Sequence, residues 1–375
     1  MNILMFYKDK PSLDPIIYPY LKKHAKVFIL SKRDGDLTIN PDDTIDTKML
    51  HDFIKKKKIT HFFYVENSAY VPIFLNEFPI EVTKVMLLID THINKNRRLP
   101  YLALFDLILL VNKQQVSELR TINPNIEWFT YGGDTKAFYK LPKAEKKYNV
   151  VFNGNIIPWI HYHRFFMLWY LRTHGVDVLY STATYQHHNK LFNESKIVLN
   201  RTPLGGWNLR IFEAMSSGSL LMTDIPSNNM EKIFIDKKHL VYYNSFADLK
   251  NKIDYYLVHD KEREKIAKQG YNFVRRNYSW DAQINKLLDI LKRHKYKNFT
   301  RNPYYLSLSN LECFSFRNKA LALKCLRSSL VEKEINKLRY YYYLSQYLTY
   351  LTATDWIIAV LNFIRVHFLT KPFEK

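Results

Sequence analysis

Length, composition and charge already limit what this chain can be. At 375 residues it is too long for one ordinary hydrophobic core, so we expect at least two domains. A hydrophobic share of 47% and a charged share of 24% exclude an intrinsically disordered protein. The net charge of +21 predicts attraction to polyanions such as nucleic acid, an anionic membrane face or phosphorylated substrates, although lysines spread evenly over the surface would give the same charge.

The sequence carries no sign of export or of membrane insertion. Cys313 and Cys325 are too few for a disulfide framework and fit buried thiols in a reducing cytosol. The apolar run Asn2–Tyr7 lacks the length and cleavage site of a signal peptide, and Trp356–Phe363 is shorter than the ~20 residues of a spanning helix. We therefore expect a cytoplasmic protein, with peripheral contact at the inner membrane face as an alternative.

The first third of the chain alternates between short apolar runs and amphipathic stretches. The runs that predict strands are Ile3–Tyr7, Val27–Leu30, His61–Val65, Lys84–Ile89, Leu107–Val111 and Ile126–Phe129. The stretches that predict helices are Leu13–His24, Thr47–Lys57, Ser68–Asn76 and Lys113–Thr121. This alternation is typical of a mostly parallel sheet with helices on both faces.

Polar residues just after these strands are candidates for a site, because open parallel sheets bind ligands beyond the carboxyl ends of their strands. Asp90 and His92 follow an uninterrupted apolar strand. Such a pair could contact hydroxyl groups or act in acid–base chemistry. A helix-capping aspartate with an incidental surface histidine fits the pattern equally well.

A charged, apolar-poor stretch at Leu141–Tyr148 predicts a domain boundary near residue 143. The alternation resumes beyond it, with a strand, a helix and a strand at Val150–Phe152, His163–His174 and Val176–Tyr180. Gly154 lies where the first of these strands leads into a loop before a helix, which is the position of a phosphate-facing turn. Arg164 is close enough in sequence to add positive charge there.

The stretch Lys196–Asp224 carries the strongest local signal, because it predicts a strand, a glycine-bearing loop, a helix at Asn208–Ser217 and another strand. Gly218 is expected to end the helix. A helix that begins after such a loop offers unpaired backbone N–H groups and a positive dipole end to an anion. Arg210 and Glu213 lie three residues apart and share a helix face, so a cation and a carboxylate could address one ligand.

The remaining pattern is a strand and amphipathic helices, predicted at Leu240–Tyr243, Phe246–Leu257, Glu262–Arg276 and Trp280–Arg293. Residues 299–375 predict an appended helical extension rich in tyrosine. Packing against the second domain is the expected role of this extension, and binding to a membrane surface or a partner is the alternative.

Several common site motifs are absent from the sequence. It contains no P-loop, no GxSxG elbow and no dehydrogenase-type GxGxxG. The spacing of the histidines matches no zinc pattern, and no cysteine lies near them, so no metal site is predicted; these histidines are His161, His163, His187 and His188.

From Asp90 to Leu291, the order of the sequence pieces resembles the GT-B glycosyltransferases. The resemblance is to the spore-maturation-protein (CgeB-like) type, which has a group 1-type glycosyltransferase second domain. The matching pieces are IDTH at Ile89–His92, YNVVFNGN at Tyr148–Asn155, ESKIVLN at Glu194–Asn200, NLRIFEAMSSGSLLMTD at Asn208–Asp224, HLVYYNSFADL at His239–Leu249 and EREKIAKQG at Glu262–Gly270.

This resemblance implies an α/β fold of two Rossmann-like domains facing a cleft. The expected limits are 1–143 for an acceptor domain, 144–298 for a donor domain and 299–375 for the helical extension. The implied activity is transfer of a sugar from a nucleoside-diphosphate sugar to an unidentified acceptor such as a glycan, a protein or a lipid-linked molecule. No metal and no further cofactor are implied, and retention of configuration is preferred.

The resemblance also implies roles for particular residues. Glu213 takes the position of the family glutamate that binds the ribose hydroxyls of the donor. The residues implied to face the diphosphate are Asn208, Arg210, Gly205, Gly206, Gly154, Arg164 and Arg201. Across the cleft, His92 would contact the acceptor or the donor sugar, with Asp90 as its partner.

One position departs from the family pattern. Many retaining relatives carry a glutamate eight residues before the helix glutamate, and Gly205 stands there in this chain. Two other functions stay open. The charge of +21 suggests a glycosyltransferase that modifies nucleic acid. The absence of the acid suggests an inactive scaffold that binds a partner through its tyrosine-rich tail.

Overall fold

The computed structural model of the chain describes residues 1–7, 13–40, 44–66, 74–89, 91, 99–156, 158–202, 206–225 and 230–298, with residues 323, 326, 341 and 344. Two parallel sheets form within these residues. The strands of the first are β1 Asn2–Phe6, β2 Lys26–Ser31, β3 Leu37–Thr38, β4 His61–Val65, β5 Thr83–Leu88, β6 Leu107–Leu110 and β7 Ile126–Trp128. Their spatial order is β3-β2-β1-β4-β5-β6-β7, and each neighbouring pair is parallel.

The second sheet follows along the chain. Its strands are β8 Tyr148–Asn153, β9 Val178–Ser181, β10 Ser195–Asn200, β11 Leu220–Asp224 and β12 Val241–Tyr243. They lie in the order β12-β11-β10-β8-β9, again in parallel pairs. The order reverses direction next to β8 and β10, so a crevice opens beyond the carboxyl ends of these two strands.

Helices cover both sheets. The α-helices of the described residues are α1 Asp14–His24, α2 Thr47–Lys57, α3 Val116–Leu119, α4 Pro158–Thr173, α5 Tyr185–Asn193, α6 Leu209–Ser216, α7 Phe246–Val258, α8 Asp260–Asn277 and α9 Trp280–Arg293. Covering both faces of a parallel sheet buries its strands on each side. All four residues of Leu107–Leu110 are accordingly buried. Within the described ranges, no helix has the length and apolar character needed to cross a membrane.

Side-chain contacts between helices join the two sheets. Asp134 lies between the sheets in sequence and accepts hydrogen bonds from the hydroxyl of Tyr20 on α1, at 2.6 Å, and from that of Tyr185 on α5, at 2.8 Å. Helix α9 returns to the first sheet, where Asp281 pairs with Lys23 of α1 at 3.0 Å. The carboxylate of Asp134 thus links α1 beside the first sheet to α5 beside the second.

Most of the predicted elements are confirmed. The six strands predicted before residue 130, the helices at α1 and α2 and those at α7, α8 and α9 appear within two residues of their expected limits. Gly218, two residues after the end of α6, has a φ of +77°, as expected of the glycine that ends a helix.

The structure corrects the sequence prediction in three places. Lys113–Thr121 is not one continuous helix but a 3-10 turn, Lys113–Gln115, followed by the short α3. Strand β3 and helix α5 were not predicted. Much of the helix expected at Ser68–Asn76 lies outside the described residues, as do Cys313, Cys325, Trp356–Phe363 and nearly all of the extension 299–375.

Candidate active site

A cleft of about 460 Å³ lies between the two sheets. Residues after β5 and β7 line one side of it, among them Ile89 and Tyr131. The other side consists of residues that end or follow strands β8, β9 and β10 or belong to α4, α5 and α6; they include Asn153, Gly154, His161, Arg164, Tyr185, His188, Trp207, Asn208, Arg210 and Glu213. The cleft is therefore at the carboxyl ends of the strands, where open parallel sheets bind ligands.

Asn200 organises the start of α6. It ends β10, is fully buried, and its amide nitrogen donates to Thr223 Oγ1 at 3.0 Å. Its amide oxygen accepts from Arg210 Nη1 at 2.9 Å and from Asn208 Nδ2 at 3.0 Å. Asn208 and Arg210, at the start of α6, are therefore held in place by the end of β10, the central strand of the second sheet.

Gly154 and Arg210 lie in direct contact. Gly154 has a φ of +149°, and a β-carbon at this position would lie 1.9 Å from Arg210 Nη2. On another side, the guanidinium carbon of Arg210 lies 4.8 Å from the centre of the Phe152 ring, which is a cation–π distance. The lack of a side chain at Gly154 thus makes the room that the guanidinium occupies.

Two further arginines, Arg164 and Arg201, lie near the contact between Gly154 and Arg210. Arg164 is 6% exposed, and it donates to the backbone oxygens of Asn155, at 2.9 Å, and Arg201, at 3.2 Å. Burial, and then the charge of Arg210, lower the pKa of Arg164 to about 9, so this guanidinium still carries its charge at neutral pH. Arg201 pairs with Asp224 at 3.2 Å. Positive charge is therefore concentrated at this end of the cleft.

Glu213 supplies a carboxylate one helical turn beyond Arg210. Its side chain is 12% exposed. Burial raises the pKa of Glu213 to about 7, an effect that Arg210 opposes and Asp134 reinforces. Its nearest cationic or imidazole neighbour among the described side chains is His188, whose Nδ1 lies 4.0 Å from Glu213 Oε2. The carboxyl group of Glu213 thus lines the cleft with a pKa raised toward neutral pH.

Further polar groups in the cleft have no partner within the described structure. Asn153 is 2% exposed and its Oδ1 accepts no hydrogen bond there. The indole Nε1 of Trp207 and the Oδ1 of Asn208 are likewise buried and unpaired. Buried polar groups are usually satisfied, so acceptors and a donor left unpaired in one cleft indicate a place where a polar ligand completes the hydrogen bonding.

Burial keeps His161 neutral. It lies within α4 at a non-helical φ of −119°, and burial together with Arg164 and Arg210 lowers its pKa to about 4.

No group of three histidine, cysteine, aspartate or glutamate side chains that could hold a metal ion occurs in the described part of the chain.

Five of the predicted site residues line the cleft together, namely Gly154, Arg164, Asn208, Arg210 and Glu213. Gly206 is also buried and lies two residues before Asn208 in the chain. Arg201 lies beside these residues, because its backbone oxygen accepts a hydrogen bond from Arg164. Asp90, His92 and Gly205 lie outside the described residues.

Sequence reasoning considered His161 and His188 only as possible metal ligands and did not single out the other side chains at the cleft. Tyr185 and His188 belong to α5, a helix that periodicity had not identified. Asp134 carries no local motif, and its role depends on two tyrosines that are far away in sequence. Asn200 could have been found, since it is the polar residue that ends a buried strand.

Sequence and structure comparisons agree on one class of protein. Residues 137–289 match the family model described as glycosyl transferase-like. Comparison with curated protein sequences gives no match.

Three solved structures illustrate the fold. HepE from Anabaena, solved with UDP-glucose, has a TM-score of 0.57 at 12% identity and covers 78% of this chain and 100% of that chain. Sucrose-phosphate synthase from Thermosynechococcus elongatus has a TM-score of 0.56 at 11% identity, with 78% and 98% covered. A DNA-modifying β-glucosyltransferase has a TM-score of 0.54 at 12% identity, with 78% and 99% covered.

The expected fold and enzyme class are thereby confirmed. The chain has the GT-B fold, with two Rossmann-like sheets, and it carries a glycosyltransferase domain.

Proposed function

We propose that the chain transfers a sugar from a nucleoside-diphosphate sugar to an acceptor hydroxyl. The observation that carries this proposal is the arrangement at the start of α6, where the guanidinium of Arg210 and the carboxylate of Glu213 line one wall of the cleft. A guanidinium matches a diphosphate and a carboxylate matches hydroxyl groups. HepE was solved with UDP-glucose, so UDP-sugars are the first donors to test.

The diphosphate of the donor fits the arginine-rich end of the cleft. Arg164 and Arg210 line it, and Arg201 lies beside Arg164. Asn208, the N-cap residue of α6, does not cap the first turn with its side chain, and its amide nitrogen donates to Asn200. The N–H groups of this turn and the positive helix end therefore stay available to the same anion.

Glu213 is proposed to hold the ribose. An ionised carboxylate only accepts hydrogen bonds, and a ribose offers two neighbouring hydroxyl donors. Because Glu213 lies one turn from Arg210, a ribose held by Glu213 would lie next to the diphosphate of the same nucleotide.

The arginines are proposed to act on the departing diphosphate. As the bond between the anomeric carbon and the β-phosphate oxygen breaks, its electron pair leaves with the diphosphate, whose negative charge grows. Arg164 and Arg210 line the cleft, and a diphosphate bound there would have its growing charge stabilised by both guanidinium groups. The acceptor oxygen forms the new bond to the anomeric carbon and loses its proton. Since the guanidinium groups provide the compensating charge, we propose transfer without a metal ion.

The finer assignments follow the sequence resemblance. We assign residues 1–143 to the acceptor, 144–298 to the donor and 299–375 to an extension, within the spore-maturation-protein type. His92 and Asp90 are proposed to serve the acceptor side. We further propose retention of configuration, which NMR of the anomeric proton in the first-formed product tests. If the acceptor is lipid-linked, the basic protein should sediment with anionic vesicles.

A panel of nucleotide sugars tests the proposal. Binding to the native state should raise the melting temperature, and calorimetry should give the affinity. Glu213→Ala should abolish donor binding. Glu264→Ala is the matched control, because this glutamate on α8 is 74% exposed. Unchanged affinity in Glu213→Ala would contradict the assignment. Slow hydrolysis of the bound donor without acceptor distinguishes a working enzyme from an inactive scaffold.

Transfer to nucleic acid is a second candidate function. Four cations, Arg120, Arg293, Lys295 and Lys297, line a second cavity beside the start of β7. Together with the net charge of +21, they favour contact with a phosphate backbone. DNA binding should then weaken steeply as salt is added. A protein that retards no DNA at low salt excludes this candidate and leaves the first one intact.

A further inference from the structure

We propose that His188 and Glu213 together form a two-acceptor site for the neighbouring hydroxyls of the ribose, so that the cleft selects ribonucleotides over deoxyribonucleotides. This inference rests on the proposed function and adds a residue from a second helix to it. His188 belongs to α5 and Glu213 to α6, and both line the cleft.

The hydrogen bond of His188 to the backbone fixes its tautomer. Its Nε2 lies within hydrogen-bonding distance of the Ala183 carbonyl oxygen. A carbonyl oxygen can only accept, so Nε2 carries the hydrogen. The imidazole is neutral at neutral pH, because burial lowers the pKa of His188 below its ordinary value. Its Nδ1 therefore presents a lone pair and no hydrogen.

That lone pair faces a second acceptor. Nδ1 of His188 lies 4.0 Å from Oε2 of Glu213. No described residue donates a hydrogen bond to this buried nitrogen. Two acceptors face each other with no donor between them once Glu213 is ionised. A ligand that brings two donors would satisfy both groups, which are otherwise left unpaired at a cost.

A ribose has this property, since its 2′ and 3′ hydroxyls are neighbours and each can donate. A deoxyribose brings one donor and leaves one acceptor unpaired in a buried site. Sites built around a hydroxyl discriminate against the analogue that lacks it. The loss expected for one unpaired acceptor is roughly 5- to 150-fold in affinity.

The ring environment of His188 offers a clean substitution. The imidazole packs among Phe138, Tyr185 and Phe192, with centroid distances of 6.3, 6.2 and 5.9 Å. In His188→Phe an aromatic ring keeps these contacts and the Nδ1 acceptor is lost. His187→Phe is the matched control, because His187 is the exposed neighbour on the same helix and bonds with Thr184 at 2.8 Å.

Calorimetry on the full chain at about pH 8, where the carboxylate is ionised, tests the inference. UDP, GDP, ADP and CDP are titrated first, and then the 2′-deoxy and 3′-deoxy forms of the tightest binder. The wild type should bind both deoxy forms more weakly. His188→Phe should weaken the ribonucleotide by a similar factor and leave one of the two deoxy forms unchanged, since that form lacks the hydroxyl that His188 accepts. His187→Phe should behave as the wild type.

The outcomes separate the two proposals. A wild type that binds no nucleoside diphosphate refutes the proposed function, and the ribose site with it. A wild type that binds ribo and deoxy forms equally refutes the ribose site alone. An equal loss for all three nucleotides in His188→Phe shows a merely structural role and also refutes it. Should His188→Phe not fold, His188→Gln, whose amide oxygen is an acceptor, should keep the preference for ribose, and loss of that preference counts against the inference.

Discussion

Replacing Gly154 by alanine should damage the cleft through Arg210. The added β-carbon would lie 1.9 Å from Arg210 Nη2 and 3.0 Å from its guanidinium carbon. The backbone cannot easily yield, since the Gly154 N–H donates to the Ser181 carbonyl at 3.0 Å. The guanidinium must therefore move away from Asn200 Oδ1 and from the Phe152 ring.

The loss of folding free energy expected for Gly154→Ala has two separate contributions. A side chain at a φ of +149° is strained, which costs about 1–3 kcal/mol of folding free energy. Loss of a hydrogen bond from a charged donor costs about 1.5–3 kcal/mol more. If the same guanidinium binds the diphosphate, the second term also appears in donor affinity as a loss of roughly 10- to 150-fold.

Gly175→Ala separates these terms. Gly175 has a φ of +82°, and a β-carbon there meets no atom within 4 Å, so this variant should show strain alone. Thermal melting should place Gly154→Ala below Gly175→Ala, and calorimetry with a nucleotide sugar should show weakened binding for Gly154→Ala alone. Wild-type donor affinity in Gly154→Ala would refute the contact with Arg210 as a determinant of the site.

Three further predictions concern the stability of the protein. Burial raises the pKa of Glu213 to about 7, so its contribution to stability is complete below about pH 4.5 and is lost as the pH rises through about 7. The melting temperature of Glu213→Gln relative to wild type should thus increase from about pH 5 to about pH 8, and a constant difference would contradict the shift. Asp134→Asn should lose about 1.5–3 kcal/mol of stability for each weakened tyrosine hydrogen bond, detected as a lower melting temperature; an unchanged value would show that the link between the sheets is unimportant. Gly270→Ala should destabilise by about 1–3 kcal/mol or more, because its β-carbon would lie 2.1 Å from the His239 carbonyl oxygen, and a wild-type melting curve would exclude this packing.

The sequence predicted the fold well where the hydrophobic pattern was long and regular. The strand Leu107–Leu110 is apolar throughout, and His61–Val65 is apolar after its first residue, because a parallel sheet is covered on both faces; this makes them visible without a structure. Tyr185–Asn193 was not predicted, because it is a short helix of mostly polar residues with little apolar periodicity to reveal it. Strand β3, with two residues, is below what periodicity can show.

The candidate site was predictable only in its local part. Arg210 and Glu213 lie three residues apart on one helix, so helix geometry alone puts them on one wall, and Asn208 directly precedes that helix. His188 and Asp134 reach the same region through separate elements, and no spacing in the sequence indicates this. Gly154 was predicted as a turn that faces phosphate, and the structure adds that it accommodates a side chain 56 positions later.

This added role makes Gly154 and Arg210 a coupled pair. In an Arg210→Ala background the guanidinium is gone, so a β-carbon at residue 154 no longer meets the atoms 1.9 and 3.0 Å away. Gly154→Ala should then cost only its backbone strain, about 1–3 kcal/mol. The double variant should therefore be more stable than the sum of the single changes by about 1.5–3 kcal/mol, measured by a double-mutant cycle. Additive losses would mean that the guanidinium moves aside at no cost, and that its bond to Asn200 does not fix its position in the cleft.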